Sequence, residues 1–193
     1  MADRRATLHG EPWQLAEAAD VEGLLDQVLD LLALPGEARA RVVGSLEADP
    51  CRFEVQAGSE IEAVVRKLDA SPDVTRLGVT LTAGLVWVVR LDWRRLIAHE
   101  WTHVIRWRLG TPRSSEAEAR WVEDAVGRRL KVDFPKGLRV RLTDRGMGLA
   151  RTLVPRSGVV VGYSRDLEAV RIRWDGKQTI EPWRPGHVRR EGR

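Results

Sequence analysis

The spacing of apolar residues changes once along this chain, at Phe134-Pro135, and that change limits what it can fold into. Before it, apolar residues recur mainly three and four apart. In DVEGLLDQVLDLLAL (20–34), Leu24, Leu25, Val28, Leu31 and Leu32 share one helical face, and Pro35-Gly36 ends the run. A weaker helix follows through Val42, Val43 and Leu46, and then Cys51, Phe53 and Val55 alternate as a half-buried strand does. Ser59 and Glu62 have capping-box spacing ahead of a helix with Ile61, Val64, Val65 and Leu68. Residues 74–91 read as two strands around Ala83-Gly84. Asp92 reads as the cap of a helix from Trp93 to about Leu109, and Thr111-Pro112 as the start of another reaching about Lys131. The predicted order is ααβαββαα, an α+β layout with a three-stranded sheet.

After Phe134-Pro135 the segments GLRVRL, SGVVVGYS, EAVRIRW and QTIEPW are short, alternating and separated by Gly, Pro and Asp-Gly signals. Several short strands in so little chain predict a small β-barrel. Charge changes with the pattern. Residues 1–135 carry 18 basic and 22 acidic groups (−4), whereas 136–193 carry 14 and 6 (+8). Two domains are therefore expected, 1–134 and 135–193, the second being the one suited to an anionic partner.

A single cysteine, Cys51, excludes a disulfide scaffold and any all-cysteine metal site, and its place in an alternating run reads as a buried strand position. The opening MADRRATLHGEPW has no apolar run of the signal-peptide kind, and no stretch is long enough to span a bilayer. These features give the expectation of a cytoplasmic protein without a membrane partner.

The segment that carries chemistry is LIAHEWTHVIRW. His99 and His103 are four residues apart, so on a helix both imidazoles leave the same side one turn apart. Two nitrogens so placed can converge on one ion, while Glu100 beside them can act as a base on water. With four His and fifteen Glu in the chain, random placement gives this HExxH pattern only about 0.006 times, and it falls here on a predicted helix after an apolar strand. The segment resembles the active-site helix of the zincin metallopeptidases, in which the preceding sheet edge holds extended substrate.

A zinc hydrolase of this kind needs a third protein ligand. The long metzincin motif would place His at position 109, which is Leu109. The remaining candidates are carboxylates in SSEAEARWVEDAVGRRL: Glu116, Glu118, Glu123 and Asp124. On a helical wheel with Glu118 at 0°, Val122 falls at about +40°, Ala125 at about −20° and Trp121 at about −60°, whereas Glu123 and Glu116 fall at about +140° and +160°. Glu118 is then the inward carboxylate. Its axial level depends on where the helix starts, which leaves Glu123 as the alternative, and Ser115-x-x-Glu118 also reads as a capping box.

A Glu ligand makes the chain similar to a small gluzincin, and EAEARWV resembles the Glu-Ala segment that follows HExxH in the ImmA/IrrE-like peptidases. The resemblance covers roughly residues 50–131. It implies one Zn2+ per chain on His99, His103 and Glu118, with Glu100 activating water for peptide-bond hydrolysis. It also implies a protein or peptide substrate paired along the sheet edge near Leu85–Val89. Position 122, where a second carboxylate would orient the ligands, is Val122, so that partner is unassigned. Tyr163 and His187, the only downstream residues of the type that could donate to a transition state, read as structural.

Residues 137–190 resemble an SH3-like or KOW-like barrel. Arg171, Arg173, Lys177, Arg184, Arg189 and Arg190, with Trp183 among them, are its expected outward set for a target or for nucleic acid. Trp174 reads as core, and Trp93, Trp101, Trp107 and Trp121 as packing between the two long helices. Two functions follow from the sequence. One is a zinc metallopeptidase whose target is recruited by the barrel; the other is a catalytically inactive zincin scaffold that binds nucleic acid or protein through the barrel.

Overall fold

The computed structural model describes residues 5–68, 77–111, 116–152 and 156–191. It is an α+β protein that divides into two compact units, Met1–Asp124 and Ala125–Arg193. The division falls ten residues before the expected one. Leu130, near the end of the last long helix, is fully buried in the core of the second unit, so packing assigns that half-helix to the second unit although its sequence period belongs with the first.

The first unit begins with two elements that the apolar pattern does not announce, strand β1 (Ala6–His9) and helix α1 (Pro12–Glu17). Helices α2 (Val21–Leu31) and α3 (Gly36–Ala48), strand β2 (Cys51–Val55) and helix α4 (Gly58–Leu68) follow. Strands β3 (Gly78–Thr82) and β4 (Leu85–Val88) then lead to helices α5 (Arg94–Arg108) and α6 (Glu116–Asp133). The sheet has four strands in the order β1-β2-β4-β3 rather than the expected three. β1 lies parallel to β2 with Ala6 opposite Cys51, and β4 is parallel to β2 on its other side. Four residues with only Ala6 and Leu8 apolar carry too little pattern to be seen locally. Pairing with a buried neighbour is what makes β1 a strand.

This order corrects the substrate-edge expectation. β4 is paired on both sides, so its backbone has no free ladder to offer. The strand with β4 on one side and no described strand on the other is β3, antiparallel to β4. The core beneath it is apolar: Phe53 meets Trp101 edge to face, with ring centroids 4.9 Å apart, and Trp101 Nε1 donates to Val21 O at 2.8 Å. Trp101 thus faces β2 and α2. Trp121 is 49% exposed and Arg90 lies over the Trp93 ring, so the four tryptophans do not form the expected interhelical packing set. Cys51 is fully buried in β2, as expected. Trp93 rather than Asp92 holds the α5 cap position, and Asp92 is buried and accepts two bonds from Arg90. Thr111 closes α5, its N–H and hydroxyl both donating to Arg106 O. Pro112 and Ser115 lie outside the described residues.

The second unit contains β5 (Arg139–Leu142), α7 (Asp144–Leu149), β6 (Ser157–Tyr163), β7 (Val170–Trp174), β8 (Ile180–Trp183), a 3-10 turn (Pro185–His187) and β9 (Val188–Arg190). Its antiparallel sheet runs β8-β7-β6-β5-β9, and its edges β8 and β9 are not paired with each other, so no closed barrel is formed. Inward residues Val140, Leu142, Val160, Val170, Ile172, Trp174 and Val188 build the core on Leu130. A register shift between Val160 and Gly162 bends β6. Gly176, at φ +75°, makes the turn that Asp175-Gly176 predicts. Gly146 lets α7 approach the 3-10 turn so closely that a Cβ there would lie 2.1 Å from His187 O. Among the described residues, no helix is long and apolar enough to cross a membrane.

Candidate metal centre

α5 is a helix of fifteen residues free of Gly and Pro, and its buried side (Ile97, Ala98, Trp101, Val104, Ile105) fixes the direction in which the other side points. His99 and His103 leave that other side with their Nε2 atoms 3.2 Å apart. Glu116, at the head of α6, brings Oε1 to 3.5 Å from His99 Nε2 and Oε2 to 3.5 Å from His103 Nε2. Ligand atoms held at about 2.0–2.1 Å in a tetrahedral set stand roughly 3.3–3.4 Å from one another. Each measured separation is close to that value, the two imidazoles meeting different oxygens of Glu116, and one ligand atom from each of the three residues lies within 4.8 Å of the other two. Two imidazoles and a carboxylate are also the donor set of a three-ligand zinc site, so the residues present fit the ion. No other group of three metal-ligating side chains converges among the described residues.

The third member is therefore Glu116, which corrects the expectation of Glu118. The Glu118 carboxylate is taken by Arg106, whose Nε donates to Oε2 at 2.7 Å and whose Nη2 donates to Oε1. That guanidinium holds the Glu118 carboxyl below the usual carboxylate range. The wheel failed at its centre. It counted Trp121 and Ala125 as inward, but Trp121 is half-exposed, and the buried positions of α6 within the first unit are Ala119 and Val122. These fall at about +100° and +40° on the same wheel, so the buried direction lies near +70°. Glu116 and Glu123 then share one flank and Glu118 lies on the other. Arg106, three residues after His103 and on the same face of α5, was the sequence signal that a neighbouring carboxylate would be claimed.

Glu123, the alternative ligand, stands behind His99. Its Oε2 lies 3.3 Å from His99 Nδ1, and Arg95 pairs with its Oε1 at 3.0 Å. A carboxylate on Nδ1 keeps the proton there and turns the Nε2 lone pair towards Glu116 and His103. It stands where an orienting partner of a ligating histidine would stand, a place for which the sequence offered no candidate. Burial disfavours the His99 imidazolium, but the bonds to Glu116 and Glu123 outweigh it and raise its pKa to about 10. Glu116, bonded to His103 and His99, is held well below the usual carboxylate range. Metal uptake would accordingly displace a proton from His99.

Glu100 is only 3% exposed and lies between α5 and β3. Thr80 Oγ1 donates to its Oε2 at 2.8 Å. Its Oε1 occupies the space beside Gly78, where a Cβ would come within 2.8 Å of it. Burial pushes its carboxyl pKa up, against the pull of His99 and His103. β3 thus touches both oxygens of Glu100 with two residues of one face and forms the sheet edge at the same time.

In the second unit, Arg171 and Arg173 are exposed on β7, as expected, and so are Arg189 and Arg190. Lys177 is paired with Glu181 at 2.9 Å, and Arg184 lies 3.9 Å from buried Glu168. Trp183 is not an outward stacking platform. It packs edge to face on core Trp174, with centroids 5.6 Å apart, and its Nε1 donates to Glu181. Tyr163 donates to Phe134 O at 3.0 Å, and His187 is buried within 6.3 Å of Trp183, both structural placements. Comparison with protein-family models, with curated proteins and with solved structures returns no match.

Proposed function

We propose that the chain is a zinc-dependent metallopeptidase of small gluzincin type, with His99, His103 and Glu116 as ligands of one ion and Glu100 as the general base. The observation that carries the reading is the 3.2–3.5 Å spacing of the two Nε2 atoms and the Glu116 oxygens, with Glu123 on the far nitrogen of His99. Bound zinc supplies a Lewis acid and acidifies water to a pKa of about 7. Glu100, adjacent to the ligands and tuned upward by burial, takes the proton of the attacking water and returns it to the leaving amine. β3 offers its outer ladder to an extended peptide on the side where Glu100 lies. The second unit is read as an open, barrel-like sheet that recruits the target. Support comes from the last strand returning beside the first and from the bend in β6.

Metal analysis of the full chain tests this. One zinc per chain is expected, lost in His99→Ala and Glu116→Ala and kept in Glu118→Ala, with Glu100→Gln keeping zinc and losing hydrolysis of a casein substrate. Failure to take up supplied zinc would overturn the reading. A second reading, a metal-stabilised scaffold that works only by binding, is favoured by Arg141, Arg171, Arg173 and Arg189, which have no carboxylate partner among the described residues. It expects Glu100→Gln to be silent.

A further inference from the structure

Residues opposite one another in an antiparallel ladder share a face of the sheet. In the second unit, Arg141 is opposite Ser157 and Arg189, Arg139 opposite Val159, and Val159 opposite Arg173. Arg173 is in turn opposite Ile180, and Arg171 is opposite Pro182. Five arginines from three strands therefore leave the side away from Val140, Ile172 and Trp174. Asp175 and Glu191 neutralise Arg139. Arg141, Arg171, Arg173 and Arg189 have no carboxylate partner among the described residues. Arg141 and Arg189 also face each other directly, where like charges repel, and Arg141 Nε is buried without a hydrogen-bond partner. Such a face is stabilised when an anion spans it.

We propose that this face binds the phosphate backbone of a nucleic-acid duplex without reading its sequence. A phosphate backbone is a regular row of charges that needs guanidinium groups and no apolar centre. A protein partner is the poorer fit, because Val159, Ile180 and Pro182, with Val161 at the β6 bulge, give the face no aromatic anchor. A single strand is also the poorer fit, because base stacking needs exposed aromatics, and Trp174 and Trp183 belong to the opposite side of the sheet. The proposal is independent of the metal reading.

The test is fluorescence anisotropy of the full-length chain with a labelled DNA duplex of mixed sequence at several salt concentrations. Four neutralised phosphates give a log–log salt slope of about −3.6, so affinity should fall about 100-fold between 50 and 200 mM salt. R171Q/R173Q should flatten the slope by about two and R189Q, on another strand, by about one. R41Q/K67Q, an equal charge change at exposed sites of the first unit, should leave the slope unchanged. No duplex binding at 50 mM salt, equal effects of the two double variants, or tighter binding of a poly-glutamate peptide than of the duplex would each overturn the proposal.

Discussion

Thr80→Val removes one hydroxyl and almost no volume, and its cost can be worked from the surroundings of Glu100. The Glu100 carboxylate is 3% exposed and receives the Thr80 hydroxyl at 2.8 Å. A hydrogen bond to a charged group contributes about 1.5–3 kcal/mol, and a neutral one about 0.5–1.5. Valine at position 80 leaves a buried carboxylate oxygen without that donor, so the first unit should lose about 2 kcal/mol of stability. The same substitution in a Glu100→Gln background breaks a neutral bond only, with an expected cost of about 1 kcal/mol. Urea denaturation of all four proteins at pH 7 in EDTA closes the cycle, with Thr80→Ser as the variant that should restore stability. A coupling of about 1 kcal/mol supports the clamp. Thr80→Val indistinguishable from wild type, or equal costs in both backgrounds, would refute the claim that β3 holds this carboxylate.

Glu123→Gln should keep one zinc per chain while weakening its affinity about 10- to 100-fold, as read by competition with a chelator, because the substitution alters the orienting partner and not a ligand. Cys51, fully buried with its thiol pKa pushed up to about 12, should resist iodoacetamide at pH 8.5 in the native protein and react fully in denaturant. Native labelling at the denatured rate would contradict its burial.

The two histidines and Glu100 were legible because a four-residue spacing on a Gly- and Pro-free helix fixes their common side before any tertiary contact forms. The carboxylate was not. Choosing among Glu116, Glu118 and Glu123 needs the buried direction of α6, and a wheel that counts Trp121 as inward assumes that an indole seeks the interior when here it stands half in solvent. Arg106 decided the matter further by pairing with Glu118, a competition between side chains of two helices that neither helix shows alone.

The sequence by itself determined what depends on local periodicity: the change from helices to alternating strands, the HExxH face, the Asp175-Gly176 turn and the outward arginines of β7. Tertiary structure decided what depends on partners. It made β1 a strand, left β3 rather than β4 at the edge, gave Leu130 to the second core, and set Glu116 on the histidines with Glu123 behind them. The physical reason is one of range. Backbone propensity and amphipathic period act within a few residues, whereas ladder pairing, burial direction and ion-pair choice are settled between segments tens of residues apart.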